Sequence, residues 1–160
     1  LTAYNLLSNR EVGFQSIIEN TQLKGRCDIV NNFILDVSHN PASVKNLISF
    51  IEKNFKEQKF KAIFASMSEK DSSSIIKEIA HLISEWNICF IDDNRFDIPS
   101  LINLTKSKVK ADVNIADTVY SAVERGYYEG TPYIVFGSFI TVSEAYRALD
   151  KIKLLNRENS

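Results

Sequence analysis

Four short apolar runs, residues 33–35, 62–65, 88–91 and 133–136, alternate with longer stretches whose apolar residues recur at helical spacing. Each run has the length of a strand, and a strand apolar on both sides must be covered on both sides. Strands that alternate with helices meet that demand by pairing in parallel, with helices crossing over either face. Few other folds accommodate such a chain.

The local signals predict an α/β fold, a Rossmann-like three-layer sandwich. Its sheet has about six mostly parallel strands. Residues 26–30 and 33–37 read as two strands joined by Asn31-Asn32, a hairpin turn because Asn tolerates positive φ. That short link makes 26–30 the one antiparallel strand, at an edge. Pro41 opens a helix with Val44, Leu47, Ile48, Ile51 and Phe55 on one face, capped by Asn40. Asp71 caps a second helix carrying Ile75, Ile76, Ile79, Leu82 and Ile83. Pro99 opens a third, followed by a brief edge strand over 109–113. Asn114 reads as the cap of a fourth helix, ended by Arg125-Gly126. Thr141 and Glu144 have capping-box spacing for a last helix. A weak helical pattern covers 12–19, and the polar end of the chain from Asn156 reads as disordered.

Bulk properties narrow the function. A net charge of -1 with 24% charged residues gives no global field for nucleic acid or a membrane surface. The lysines at 106, 108 and 110 lack interleaved aromatics and read as a solvated turn. Apolar runs are far too short to span a bilayer. Cys27 and Cys89 match no CxxC or Cys/His spacing, so they read as packed thiols of a cytoplasmic protein, and no metal site is expected. The first residue is Leu1 and the only methionine is Met67, which suggests a piece of a longer protein.

The chemistry concentrates just after the strands. Asp36 and His39 follow the run at 33–35, at the N-terminus of the helix opened by Pro41. Ser66 to Asp71, with Lys70, follow the run at 62–65, and Gly137 and Ser138 follow the run at 133–136. In a parallel sheet these stretches emerge at one edge, where α/β proteins collect ligands and helix N-termini favour anions. A carboxylate, an imidazole, an ammonium and a hydroxyl there suit an anionic small molecule. Taken singly, each has a blander explanation: Asp36 and Asn40 as turn formers, His39 as a surface residue, Lys70 as a solvated loop lysine.

Taken in order, Gly25-Arg26, Asp36-x-x-His39-Asn40-Pro41, Met67-x-x-Lys70-Asp71 and Phe136-Gly137-Ser138-Phe139-x-Thr141-Val142 resemble the C-terminal domain of the folylpolyglutamate synthase/dihydrofolate synthase family of Mur-type amide ligases. Ser38 stands where that family usually has Ala, Lys24 where it usually has Pro, and Ser66 lies in an altered loop. The resemblance implies a C-terminal domain over 23–153, preceded by the end of an ATPase domain and a linker over 1–22, with a tail over 154–160.

It further implies that ATP phosphorylates a folate or dihydropteroate carboxylate, which the amine of L-glutamate then attacks. By resemblance Arg26 contacts phosphate and Asp36 the ribose. His39, Asn40, Lys70 and Ser138 contact glutamate, with His39 in the catalytic role. ATP and Mg2+ would be held mostly by the N-terminal ATPase domain, since no Gly-x-x-x-x-Gly-Lys-Ser/Thr occurs here. The implied partners are L-glutamate, dihydropteroate or tetrahydrofolate polyglutamate, and the ATPase domain itself, in a monomer. The chain alone is expected to be inactive. The alternative is a free-standing, non-catalytic α/β binding or regulatory module.

Overall fold

The computed structural model describes residues 24–159, so the pattern over 12–19 and the assignment of 1–22 lie outside the described residues. In chain order the elements are β1 (Asp28–Val30), β2 (Phe33–Leu35), α1 (Pro41–Asn54), β3 (Phe60–Phe64), α2 (Ser72–Ile79), a 3-10 turn (Ala80–Leu82), β4 (Ile83–Cys89), α3 (Ile98–Lys108), β5 (Asp112–Ala116), α4 (Val119–Glu129), β6 (Tyr133–Phe136) and α5 (Phe139–Glu158). The six strands form one sheet in the order β1-β2-β6-β3-β4-β5. All neighbours are parallel except β1 and β2, which pair Ile29 with Ile34 across the predicted hairpin. Asn31 takes the left-handed backbone (φ 56) that the two-residue link requires.

The helices pack in two groups, α1 on α2 on α3 and α4 on α5. Side chains alternate across a strand, so the register sorts the core. Phe64, Trp86 and Phe136 cluster with ring centroids 4.8–6.1 Å apart. Phe33 and Tyr133 lie on the opposite side, against Gly126 of α4. Here the expectation that Arg125-Gly126 ends the helix is corrected. Gly126 lies inside α4 because a Cβ there would come within 2.8 Å of the Tyr133 ring, and Gly130, with φ 69, ends the helix.

Other boundaries also move, each for a physical reason. β4 starts at Ile83 rather than 88, so Leu82 and Ile83 leave the predicted helix, and the strand carries polar Asn87. Asn87 is fully buried yet satisfied: its amide donates to Ala62 O at 3.1 Å and accepts from Arg125 at 2.7 Å. β5 is an edge strand with Asp112, Asn114 and Ile115 exposed, so Asn114 lies within a strand and caps nothing. Thr118 caps α4, receiving the Ser121 N–H at 3.0 Å in a capping box with Ser rather than Glu at the third position. Ser138, not Thr141, caps α5. That helix runs through the tail expected to be disordered, with Ile152 buried and Tyr128 donating to Asn156 at 3.2 Å in the last turns.

Candidate functional site

The carboxyl ends of β2, β6 and β3 lie side by side, and the loops leaving them build the candidate site. Leaving β2, Asp36 is 6% exposed and its two oxygens hold four donors. Oδ2 accepts the Cys27 N–H at 2.8 Å and the Cys27 thiol at 3.3 Å, while Oδ1 accepts the Ser38 N–H at 2.8 Å and the Ser38 hydroxyl. A carboxylate has about four lone-pair sites, so Asp36 is saturated by its own chain. Burial and the facing Asp36 carboxylate push the Cys27 thiol well above its ordinary pKa, keeping it a protonated donor.

His39 is half-buried. Its Nδ1 lies 2.9 Å from Val37 O, so Nδ1 carries the proton and Nε2 is left as an acceptor with no partner among the described residues. Asn40 is exposed and its side-chain oxygen is committed to the Ser43 N–H at 2.9 Å, capping α1 as predicted. Arg26 has no ion pair among the described residues. It lines a cavity of about 190 Å³ together with Asp36, Ser38, His39, Asn46 and Phe139.

Lys70 lies elsewhere on the same edge. It lines a second cavity, of about 280 Å³, with Ser66, Ser72, Asp97, Ser100 and Leu101. The loops after β3 and β4 are stitched there: the Ser68 N–H and hydroxyl donate to Arg95 O at 2.8 and 2.9 Å, and Ser68 Oγ accepts the Asp97 N–H at 3.0 Å. Ser138 lines neither cavity. It is 2% exposed, and its oxygen accepts the Thr141 N–H at 3.0 Å and pairs with the Thr141 hydroxyl at 2.7 Å. Thr141 in turn donates to Ala65 O at 3.1 Å, so Ser138 locks β6 to the end of β3. The structure thus brings Arg26, Asp36 and His39 together, with Asn40 at the adjoining cap. It sets Lys70 in a neighbouring cavity and Ser138 in the frame between them.

Sequence reasoning missed Phe139. Its ring is 62% exposed, stands 5.8 Å from the His39 ring and borders the Arg26 cavity. A large aromatic directly after a helix cap at a ligand edge was the available signal. A further cavity of about 520 Å³ runs from Lys24 and Gly25 along α5 to Lys153. Tyr146 closes its floor, accepting the Gly25 N–H at 2.8 Å and donating to the Asp28 carboxylate. Among the described residues no three His, Cys, Asp or Glu side chains gather to hold a metal ion, and no helix is long and apolar enough to cross a membrane.

Residues 25–139 match the family described as Mur ligase, glutamate ligase domain. The chain belongs to that family. This glutamate ligase domain is 28% identical over 144 residues to the dihydrofolate synthase/folylpolyglutamate synthase of Buchnera aphidicola subsp. Schizaphis graminum, covering 86% of this chain and 34% of the relative. The domain therefore spans about a third of the length of the curated relatives it matches. Its fold is shared with a folylpolyglutamate synthase from Thermotoga maritima (TM-score 0.74, 20% identity, 88% of this chain and 34% of that one). It is likewise shared with a bifunctional folylpolyglutamate synthase/dihydrofolate synthase solved with Mn, AMPPNP and L-glutamate bound (TM-score 0.68, 23% identity, 81% and 32%).

Proposed function

We propose that this domain is the C-terminal part of an ATP-dependent amide ligase that joins L-glutamate to dihydropteroate or to a folate polyglutamate tail through an acyl phosphate. The observation that carries the reading is that Arg26, His39 and Lys70 lie on loops at one sheet edge, in two cavities on either side of the β6 exit, in a chain whose family is the glutamate ligase domain. The length of its relatives supports a longer parent enzyme, with an N-terminal ATPase domain supplying the phosphate loop and the Mg2+ ligands. The reading carries with it a cytoplasmic monomer and a domain that does not catalyse alone.

ATP fits one part of what is present. Arg26 lines the cavity and has no ion pair among the described residues, so its planar guanidinium is suited to a phosphate. Among the described residues no carboxylate cluster suits Mg2+. When bound, ATP supplies the activated phosphoryl group; the work of this domain is to bind and orient. Asp36 reaches a ribose hydroxyl only by exchanging the Ser38 or Cys27 side-chain donors. Its standing role is to hold Cys27, and with it the loop that presents Arg26. The free Nε2 of His39 is an acceptor for the proton of an incoming ammonium. Lys70 attracts a glutamate carboxylate as a point charge, while Asn40 caps the helix beside His39 and Ser138 frames the edge between the two cavities. Closure of the two domains would bring amine and acyl phosphate together, a proximity effect.

Steady-state kinetics of the full-length enzyme test this reading. Lys70→Ala is expected to raise KM for glutamate and Arg26→Ala KM for ATP, each by about tenfold, the cost of one charge-assisted contact. Interchanged effects would overturn the roles, and absence of ATP-dependent amide formation would overturn the function. A free-standing binding module remains the second reading, favoured by the saturation of Asp36 within its own chain.

A further inference from the structure

The Lys70 cavity holds an anomaly. Ser66, at the carboxyl end of β3, is 3% exposed and lines the cavity, and its hydroxyl is buried without a hydrogen-bond partner among the described residues. A buried hydroxyl left unpaired is costly, and such groups persist where something outside the fold completes them. The surroundings point to what that is. Lys70 lines the same cavity, and among the described residues its ammonium pairs with the neighbouring Glu69 alone, at 3.2 Å, a partly exposed contact that a ligand can exchange. The N-terminal turns of α2 and α3 contribute Ser72 and Ser100 to the lining, adding the partial positive charge of two helix ends. Asp97 lies in the lining too, with its carboxylate oxygens accepting from Ser100 at 2.7 and 3.1 Å. One cation, one acid and a waiting hydroxyl suit a ligand that carries both charges, as an α-amino acid does.

We propose that Ser66 is a specificity-determining residue of the amino-acid site: its hydroxyl, together with the Lys70 ammonium, binds a carboxylate of the incoming amino acid in the cavity between the starts of α2 and α3. The inference rests on the ligase reading and deepens it. It adds Ser66 to the site and moves the carboxylate contact away from Ser138, whose oxygen is already committed to Thr141. The Ser68 bonds to Arg95 and Asp97 tie the two walls of the cavity to each other.

The test is a paired kinetic and thermal comparison of the full-length enzyme with its Ser66→Ala and Ser66→Thr variants, L-glutamate being the varied amino acid. Ser66→Ala is expected to raise KM for glutamate about tenfold, the loss of one hydrogen bond to a charged group, while KM for ATP is unchanged. Ser66→Thr, which keeps the hydroxyl, is expected to restore most of the difference. The melting temperature of Ser66→Ala should stay level or rise, because the group removed has no partner in the fold. A glutamate KM within twofold of the original in an active Ser66→Ala enzyme overturns the proposal and leaves the ligase reading standing. So does a clear fall in melting temperature, which would mark the hydroxyl as structural. An unaltered enzyme that forms no amide from any α-amino acid overturns the ligase reading, and this assignment with it.

Discussion

The Cys27 backbone N–H reaches Asp36 Oδ2 at 2.8 Å, tying the approach to β1 to the exit from β2. Cys27 holds a left-handed backbone, φ 50, which is uncommon for a residue with a side chain and needs such an anchor. The same carboxylate anchors the Ser38 N–H at 2.8 Å. Asp36→Ala leaves both buried donors unpaired and is expected to cost about 2–4 kcal/mol, one to two per orphaned group. Asp36→Asn, which keeps one acceptor oxygen, should cost less. Urea denaturation decides: a midpoint unchanged in Asp36→Ala would show that the carboxylate is not structural.

Gly137 marks a second point of stress between site and frame. Its φ is 110, and a Cβ there would lie 2.5 Å from Ala65 O, a backbone atom fixed in the sheet edge. Gly137→Ala is expected to lose roughly 3 kcal/mol or more, combining the conformational penalty with a clash that cannot relax. Gly126→Ala meets the Tyr133 ring at 2.8 Å instead, and a ring can shift, so it should be the milder change. Denaturation of the two variants side by side checks the ranking.

The two thiols set a pH limit. Burial pushes Cys89 up to about 12, and burial with Asp36 pushes Cys27 up as well. A folded-state pKa above the unfolded value means stability is intact below about pH 9 and declines as pH rises towards the folded value. Each thiol should remove about 1.4 kcal/mol per pH unit in that window. Tyr133 and Tyr146, also raised, add the same trend only above their ordinary value of 10.0. Urea melts at pH 9 and 10 should therefore show a fall, and Cys89→Ala should reduce its slope. A flat profile would contradict the burial of both thiols.

Calorimetric titration with ATP and Mg2+, beside a phosphate-release assay, checks the division of labour. The 160-residue chain should bind more weakly than micromolar and release no phosphate. Micromolar binding or steady turnover would mean that the chain carries catalytic machinery of its own.

What the sequence revealed depended on whether polarity followed burial. The hairpin at Asn31, the Asn40 cap with Pro41, and the β6 run were legible because their signals are local: a two-residue Asn link, a cap beside a proline, and an unbroken buried apolar run. Asn87 hid most of β4, since a fully buried polar residue inside a sheet is tolerated here through partners that include Ala62 and Arg125, both distant in sequence. β5 was shifted because an edge strand accepts polar residues on its open face. At the candidate site, the sequence brought Arg26, Asp36 and His39 to one sheet edge, but it did not show their commitments. The sequence does not reveal that Asp36 is filled by Cys27 and Ser38, that Ser138 caps a helix, or that Ser66 lacks a partner.

The place of β6 governs the order in which the molecule is completed. The last of the described strands in chain order occupies the third position in the sheet, pairing Ile134 with Ile34 on one side and with Ala62 on the other. Until residues 133–136 arrive, the β1–β2 hairpin has no parallel neighbour and β3 presents an unpaired edge. Closing both seams requires contacts between distant parts of the chain, which slows folding relative to a fold of local contacts. Arg26, Asp36 and His39 thus precede β6 in the chain yet depend on it for their setting, so a chain cut short before Tyr133 loses its binding edge together with the middle of its sheet.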